Sequence, residues 1–248
     1  MNRVKIGFFS FTEITDPSEH HAYNIWHQFD HMPEQYRIPG IVHGQRWVST
    51  PACADLRLAA VEPVDATHYV TLYLMSDPVE STLRTFSDLG YELRSLGRFH
   101  AHRRPVLVAP HQWLDAHAAK RVLVHPESIP SRPNKGIYVI VEEPNPDVAT
   151  DKLDAWVQTL HTSWSDSVCE VPGVAGVWQF ASNPRLTGPG WNEGTRRITV
   201  CWLDDDPVTV APKLEPLVKS RWADGTVKPV YAGPLESVEP YKWDWFNS

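Results

Sequence analysis

Residues 16–47 read DPSEHHAYNIWHQFDHMPEQYRIPGIVHGQRW. The segment holds five of the twelve histidines, His20, His21, His27, His31 and His43. Asp16, Pro17 and Glu19 form a helix start, with a capping side chain, a proline at the first helical position and an acid in the first turn. Ala22, Ile25, Trp26 and Phe29 recur at helical spacing and predict the core-facing stripe. Pro33 predicts the end of regular helix, and Ile38-Pro39-Gly40 turns the chain into a strand around residues 44–49.

Working outward, residues 4–11 are an Ile- and Phe-rich strand, 56–61 a short strand and 68–75 (HYVTLYLM) a main strand. Asp77-Pro78-Val79-Glu80 opens a second helix to about residue 96, and PVLVA at 105–109 is a proline-containing edge strand. The order is βαββαβ, the ferredoxin-like unit. It then recurs. Val171-Pro172-Gly173 matches Ile38-Pro39-Gly40 at an offset of 133, Asp206-Pro207 matches Asp77-Pro78 at 129, and PVYAGP at 229 matches PVLVAP at 105 at 124. RITVCWL at 197–203 is read against HYVTLYL at 68–74. Three anchors in one order, drifting slowly in spacing, indicate a duplication with loop changes. The expected division is a first repeat at 1–126, a proline-rich linker at 127–133 and a second repeat at 134–248, with WLDAHAAKRVLV before the linker read as a short helix. The fold class is α+β: two sheets packed face to face as a closed barrel within one chain, with an interior wide enough for one small ligand.

The stretch HQFDHMPEQYRIPGIVHGQRW, His27–Trp47, resembles the N-terminal motif of the dimeric α+β barrel superfamily, in particular its EthD-like branch. There a helix ends in an aromatic-rich run with a histidine before proline, followed by a Pro-Gly turn and a strand carrying an arginine beside an aromatic. The resemblance covers nearly the whole chain at the level of fold and the first repeat at the level of motif. It implies a small-molecule enzyme in a functionally broad superfamily of cofactor-free monooxygenases, polyketide cyclases and dehydratases, isomerases and haem-degrading enzymes. The Gly-x-x-Asp-Gly motif of duplicated-barrel peroxidases has no match; Ala223-Asp224-Gly225 lacks its leading glycine. The resemblance also implies that His31, the histidine before proline, looks into the cavity as general acid or base.

His27 and His31 lie one helical turn apart, and Asp30 or Glu34 could orient them. The expected catalytic set is His31, His27 and Glu34, and the expected substrate-binding set Tyr73, Arg46, His43 and Tyr69. Tyr69, Thr71 and Tyr73 share one strand face, expected to line the cavity, while the aliphatic face packs on helices. Two histidines at i and i+4 without a fixed third ligand make no metal motif; the expectation is no cofactor, with haem and a divalent metal left open. At an offset of 133 the second repeat has Leu160 and Trp164 where the first has His27 and His31, so one pocket works and the other is vestigial.

Composition narrows the class. Among 248 residues, net charge is −7 and 42% are hydrophobic, which argues against nucleic-acid binding and suits a cytoplasmic globular protein. No apolar run reaches membrane-spanning length. Cys53, Cys169 and Cys201 have no metal or redox spacing. The expected reaction is elimination, cyclisation or isomerisation of an apolar oxygenated or aromatic compound held in the barrel. The alternatives are a cofactor-free monooxygenase, a haem- or ligand-binding protein, and a structural oligomer module with a filled barrel and no cavity. A homodimer of the pseudo-dimeric chain is the expected assembly. The apolar tail, Tyr241 to Phe246, is expected to dock on the body or a second subunit.

Overall fold

The computed structural model describes residues 3–246. Its strands are β1 Val4–Ile14, β2 Ile41–Val48, β3 Ala59–Ala60, β4 Tyr69–Ser76, β5 Arg103–Ala118, β6 Gly136–Pro144, β7 Val174–Ala181, β8 Arg197–Leu203 and β9 Val227–Ser237. The main helices are α1 (residues 17–35), α2 (Val79–Ser95), α3 (residues 150–169) and α4 (Pro207–Trp222). The strand order is β2-β4-β1-β5-β7-β8-β6-β9, and β2 pairs back onto β9, so the sheet closes on itself; β3 adds to β9. This is the expected pair of ferredoxin-like repeats, closed as a barrel in one chain.

Alternation along the strands sends every second side chain into the lumen. The lumen is filled. Trp47 on β2 meets Trp202 on β8 edge-to-face with centroids 5.5 Å apart, and Phe11 on β1 meets Tyr231 on β9 at 5.6 Å. Neither pair joins neighbouring strands, so both cross the interior. Phe9 against Phe180, at 5.1 Å, and the aliphatic face of β4 (Val70, Leu72, Leu74) complete the same cluster. Gly7 leaves room for Phe180, whose ring would lie 2.8 Å from a Cβ there. Each buried Phe contributes roughly 2–3 kcal/mol. Two expectations are corrected. The barrel interior is core, not a ligand cavity, and the aliphatic face of β4 packs into it rather than on helices. The helices cover the outer faces of the sheet.

Helix α1 is corrected too. Ala22, Ile25 and Phe29 are exposed, Ile25 and Phe29 by 43% and 51%, whereas Tyr23, Asn24, His27 and His31 are buried. The apolar stripe faces outward and is partly covered by the tail, where Trp243 is buried beside Phe29 and Phe246 stacks on His20 at 3.9 Å. Helix α1 also continues through Pro33 to Gln35, after a π-turn at His27–His31. That turn has already interrupted the i→i−4 ladder, so a residue without an N–H is tolerated just beyond it. Residues 113–118 are strand rather than helix, because the second half of β5 pairs with β7 and helps close the barrel.

The second repeat reproduces α1 in detail. A π-turn occurs at Leu160–Trp164, at the expected offset of 133 from His27–His31. The β4/β8 alignment shifts by one residue. Thr71 and Thr199 face the helices while Leu72 and Val200 face the lumen, so the offset there is 128, since a one-residue slip would turn every side chain to the other face. The helix after it has the same offset: a Cβ on Gly40 would strike Thr82, and one on Gly173 would strike Val210.

Candidate active site

The cavity lies between the outer face of the first-repeat sheet and its two helices. It measures about 440 Å³, within the usual size of a small-molecule site. Its floor is Ser10 and Thr12 of β1 with Thr71 and Tyr73 of β4. Helix α1 contributes His27, His31 and Gln35; α2 contributes Phe86, Gly90 and Arg94. Phe99 and Arg103 close one end. Trp191, from the β7–β8 loop of the second repeat, closes another and lies edge-on to Phe8 at 5.4 Å. That loop is clamped to β5 by two hydrogen bonds: Asn192 N–H donates to the Val108 carbonyl at 2.7 Å, and Val108 N–H to Asn192 Oδ1 at 2.6 Å.

His31 is 8% exposed and His27 4%. His31 stacks on Trp26, with centroids 4.6 Å apart and planes at 25°, and meets Phe99 edge-on at 5.3 Å. His27 Nε2 lies 3.5 Å from Thr71 Oγ1. The π-turn sets both imidazoles on the cavity side. Burial, then the charges of Arg103, Arg46 and Arg98, push the His31 pKa down to about 3. Burial, then Arg46, holds His27 well below its usual value. Both rings are therefore neutral bases. The Nδ1 atoms of His27 and His31, Gln35 Oε1 and the Tyr73 hydroxyl have no protein partner. The four residues line the cavity, His27, His31 and Gln35 from α1 and Tyr73 from its floor, and a buried polar group without a protein partner is one that a ligand or water can satisfy. Burial raises the Tyr73 pKa, so its hydroxyl keeps its proton and can donate.

The remaining expected residues divide. Arg46 is 3% exposed and sits behind the wall. It donates to Asn24 Oδ1 at 2.7 Å and lies over the Tyr23 and Tyr69 rings, with Nε and Nη1 unpartnered. It acts on the site through charge. Tyr69 is in the same layer, its oxygen 2.9 Å from Asn24 Nδ2 and 3.0 Å from His20 Nδ1, and it does not line the cavity. His43 lies on β2 outside the cavity. Glu34 is corrected. It pairs with Arg37 at 2.8 Å and Arg98 at 3.1 Å on the outer side of α1, and Asp30 also pairs with Arg98, so neither carboxylate orients a histidine. Sequence reasoning missed Arg103, Arg94, Phe99, Gly90 and Trp191. Gly90 and Arg94 were findable from the duplication once the 128 offset is used, because their counterparts are Val218 and Trp222.

A metal ion held by protein side chains fits this wall poorly. Among the described residues no cluster of three or more His, Cys, Asp or Glu is placed to hold a metal ion. Neither imidazole is backed by a carboxylate, the common second-shell partner of a metal-ligating histidine.

No family model and no curated protein matches the chain. Solved structures do. An anthrone oxidase-like protein superposes with a TM-score of 0.56 at 12% identity, covering 95% of this chain and 92% of its own. A candidate monooxygenase from Fusobacterium nucleatum gives 0.56 at 10%, covering 96% and 94%. A variant of the chlorite dismutase from Candidatus Nitrospira defluvii gives 0.53 at 12%, covering 97% and 92%. The chain has the dimeric α+β barrel fold. Coverage near the full length of each neighbour means that the match includes both repeats. A dimeric α+β barrel made from one chain can let its two halves diverge, and here they have: the cavity beside His27 and His31 lies on the first-repeat sheet, with Trp191 of the second repeat over it.

Proposed function

We propose that the protein is a small-molecule enzyme that takes a proton from an oxygenated aromatic compound in the first-repeat cavity. The observation that carries this reading is the set of buried polar groups without a protein partner, His27 and His31 Nδ1, Gln35 Oε1 and Tyr73 Oη, on residues lining a cavity that also presents Phe8, Phe86, Phe99 and Trp191. His31 is the base, with His27 beside it at a ring distance of 5.2 Å. A C–H bond conjugated through the ring to a carbonyl breaks, its proton passes to the His31 imidazole, and its electron pair delocalises through the ring onto the carbonyl oxygen as an enolate. The Tyr73 hydroxyl donates to that oxygen, and the buried Arg46 charge stabilises it from behind. Burial is the first cause of the low His31 pKa, and the neighbouring arginines are the second. An enolate among them offsets their field and raises the basicity of the imidazole as the proton moves.

The enolate has three outcomes: reprotonation elsewhere (isomerisation), loss of a β-substituent (elimination) and, with dioxygen as co-reactant, oxygenation. The similarity in fold to an anthrone oxidase-like protein and a candidate monooxygenase supports the last as the second reading. The test is anaerobic solvent-deuterium exchange at the acidic carbon of anthrone. Wild type should accelerate it, and His31→Asn should lose the acceleration by about 10²–10⁴-fold, the usual weight of a general base. Equal rates in the two proteins would refute the reading. Oxygen uptake on readmitting air then separates oxygenation from the other two outcomes.

A further inference from the structure

The second repeat shows what the cavity would contain if it were only structure. Glu142 stands there at the position of Thr12, by the β1/β6 register. It accepts hydrogen bonds from Arg221 and from the Trp222 indole, and Arg221 lies over the Trp164 ring at 4.2 Å. The pair is closed and neutral in sum. In the first repeat the equivalents are Thr12 for Glu142, His31 for Trp164, Gly90 for Val218 and Arg94 for Trp222. The carboxylate has been removed, Leu93 stands where the second repeat has Arg221, and the arginines Arg94 and Arg103 stand where it has Trp222 and Val227.

The cavity walls include Arg94 and Arg103 and no Asp or Glu. The carboxylates around them are committed elsewhere: Asp30 and Glu34 to Arg98, Glu13 to Arg104 and Glu19 to His100. Among the described residues, Arg94 and Arg103 have no ion-pair partner. Both lie over one ring, Phe99, at 4.9 and 5.4 Å from its centroid. Two guanidinium groups thus gather on one aromatic ring at one end of the cavity, a ring that His31 also meets at 5.3 Å.

We propose that the ligand of this cavity is an aromatic carboxylate whose carboxyl group docks on Arg103, with Arg94 beside it, filling the role that Glu142 fills in the second repeat. This rests on the first-repeat cavity being the working site. It adds a substrate class and assigns Arg103 as the binding residue that selects it. A planar guanidinium takes a carboxylate in a two-point, charge-assisted contact. The reacting carbon would then lie toward His31 and Tyr73.

The experiment is calorimetric titration of 2-naphthoate and of 2-naphthol, one ring system with and without the carboxylate. Wild type should bind 2-naphthoate at least about tenfold more tightly, the effect of a charge-assisted contact. Arg103→Gln should remove that preference and leave 2-naphthol binding within about twofold. Thr12→Glu, which returns the second repeat's carboxylate to the first, should also remove it, while Thr12→Gln, of equal size, should retain it. The proposal is overturned if wild type shows no preference, if neither compound binds, or if the preference survives both Arg103→Gln and Thr12→Glu. The base chemistry is read separately, because anthrone has no carboxylate: loss of the naphthoate preference with exchange intact removes this inference alone, and loss of exchange with the preference intact removes the base alone.

Discussion

Glu142 and Arg221 form a buried ion pair, with side chains 1% and 2% exposed, in the part of the second repeat that corresponds to the open cavity of the first. The two repeats share a π-turn, a Pro-Gly turn and a strand register. They differ in what stands between sheet and helices. One side is filled by Trp156, Trp164, Arg221 and Glu142; the other is lined by His27, His31, Thr12 and Gly90 and is hollow. The duplication therefore acts as an internal control on which residues serve the fold.

The filled side should be structural. Glu142→Gln leaves Arg221 as a buried charge without its counterion and should cost about 3–5 kcal/mol. Trp164→Ala should cost a similar ~3–5 kcal/mol through the cavity it leaves. Both are measured by chemical denaturation. Any folded fraction should retain wild-type affinity for ligand in the first repeat.

The hollow side should tolerate filling. A Cβ on Gly90 would meet no atom within 4 Å, and Val218 occupies the equivalent position. Gly90→Val should leave stability within about 0.5 kcal/mol, since valine is no worse than glycine in a helix, but should weaken 2-naphthoate binding by at least about tenfold. Unchanged affinity would mean that the ligand binds elsewhere.

Buried neutral histidines predict the pH dependence of stability. The pKa values of His31 and His111 fall from 6.5 in the unfolded chain to about 3 and about 4, and His27 also falls well below 6.5. Their contribution is complete above pH 6.5. It is lost as pH falls below that value, because the unfolded chain takes up protons that the folded chain refuses. Each such histidine adds a slope approaching ~1.4 kcal/mol per pH unit between its two pKa values. Denaturation midpoints from pH 7 to 5 should show this decline, and His31→Asn should reduce the slope by about one such increment.

The legible part of the fold was what repeats: the caps, the Pro-Gly turns and the strand order all survive comparison of the two halves. The outward face of α1 was misread because periodicity finds where apolar residues recur, and around a ligand site the buried face is the polar one. Ile25 and Phe29 thus looked like core. The location of the cavity was misread because a closed eight-stranded barrel can be hollow or packed, and only the cross-lumen contacts, such as Trp47 with Trp202, decide which. Of the residues expected from spacing and resemblance, His31, His27 and Tyr73 line the cavity. Glu34 was not distinguishable from a surface acid, because its partner Arg98 lies 64 residues away in sequence. Arg103 and Phe99 reach the cavity from the far end of the repeat and left no local signal.

The most direct test is the protonation state of His31, read by nitrogen-15 NMR of histidine-labelled protein at pH 5, with the resonance assigned by its loss in His31→Asn. In the free protein the imidazole should be neutral, two pH units above its pKa of about 3. With saturating 4-nitrophenol it should become protonated, while the bound chromophore takes its phenolate spectrum. An imidazole already protonated at pH 5 in the free protein, or one that stays neutral while the ligand remains a phenol, would contradict His31 as the proton acceptor of this cavity.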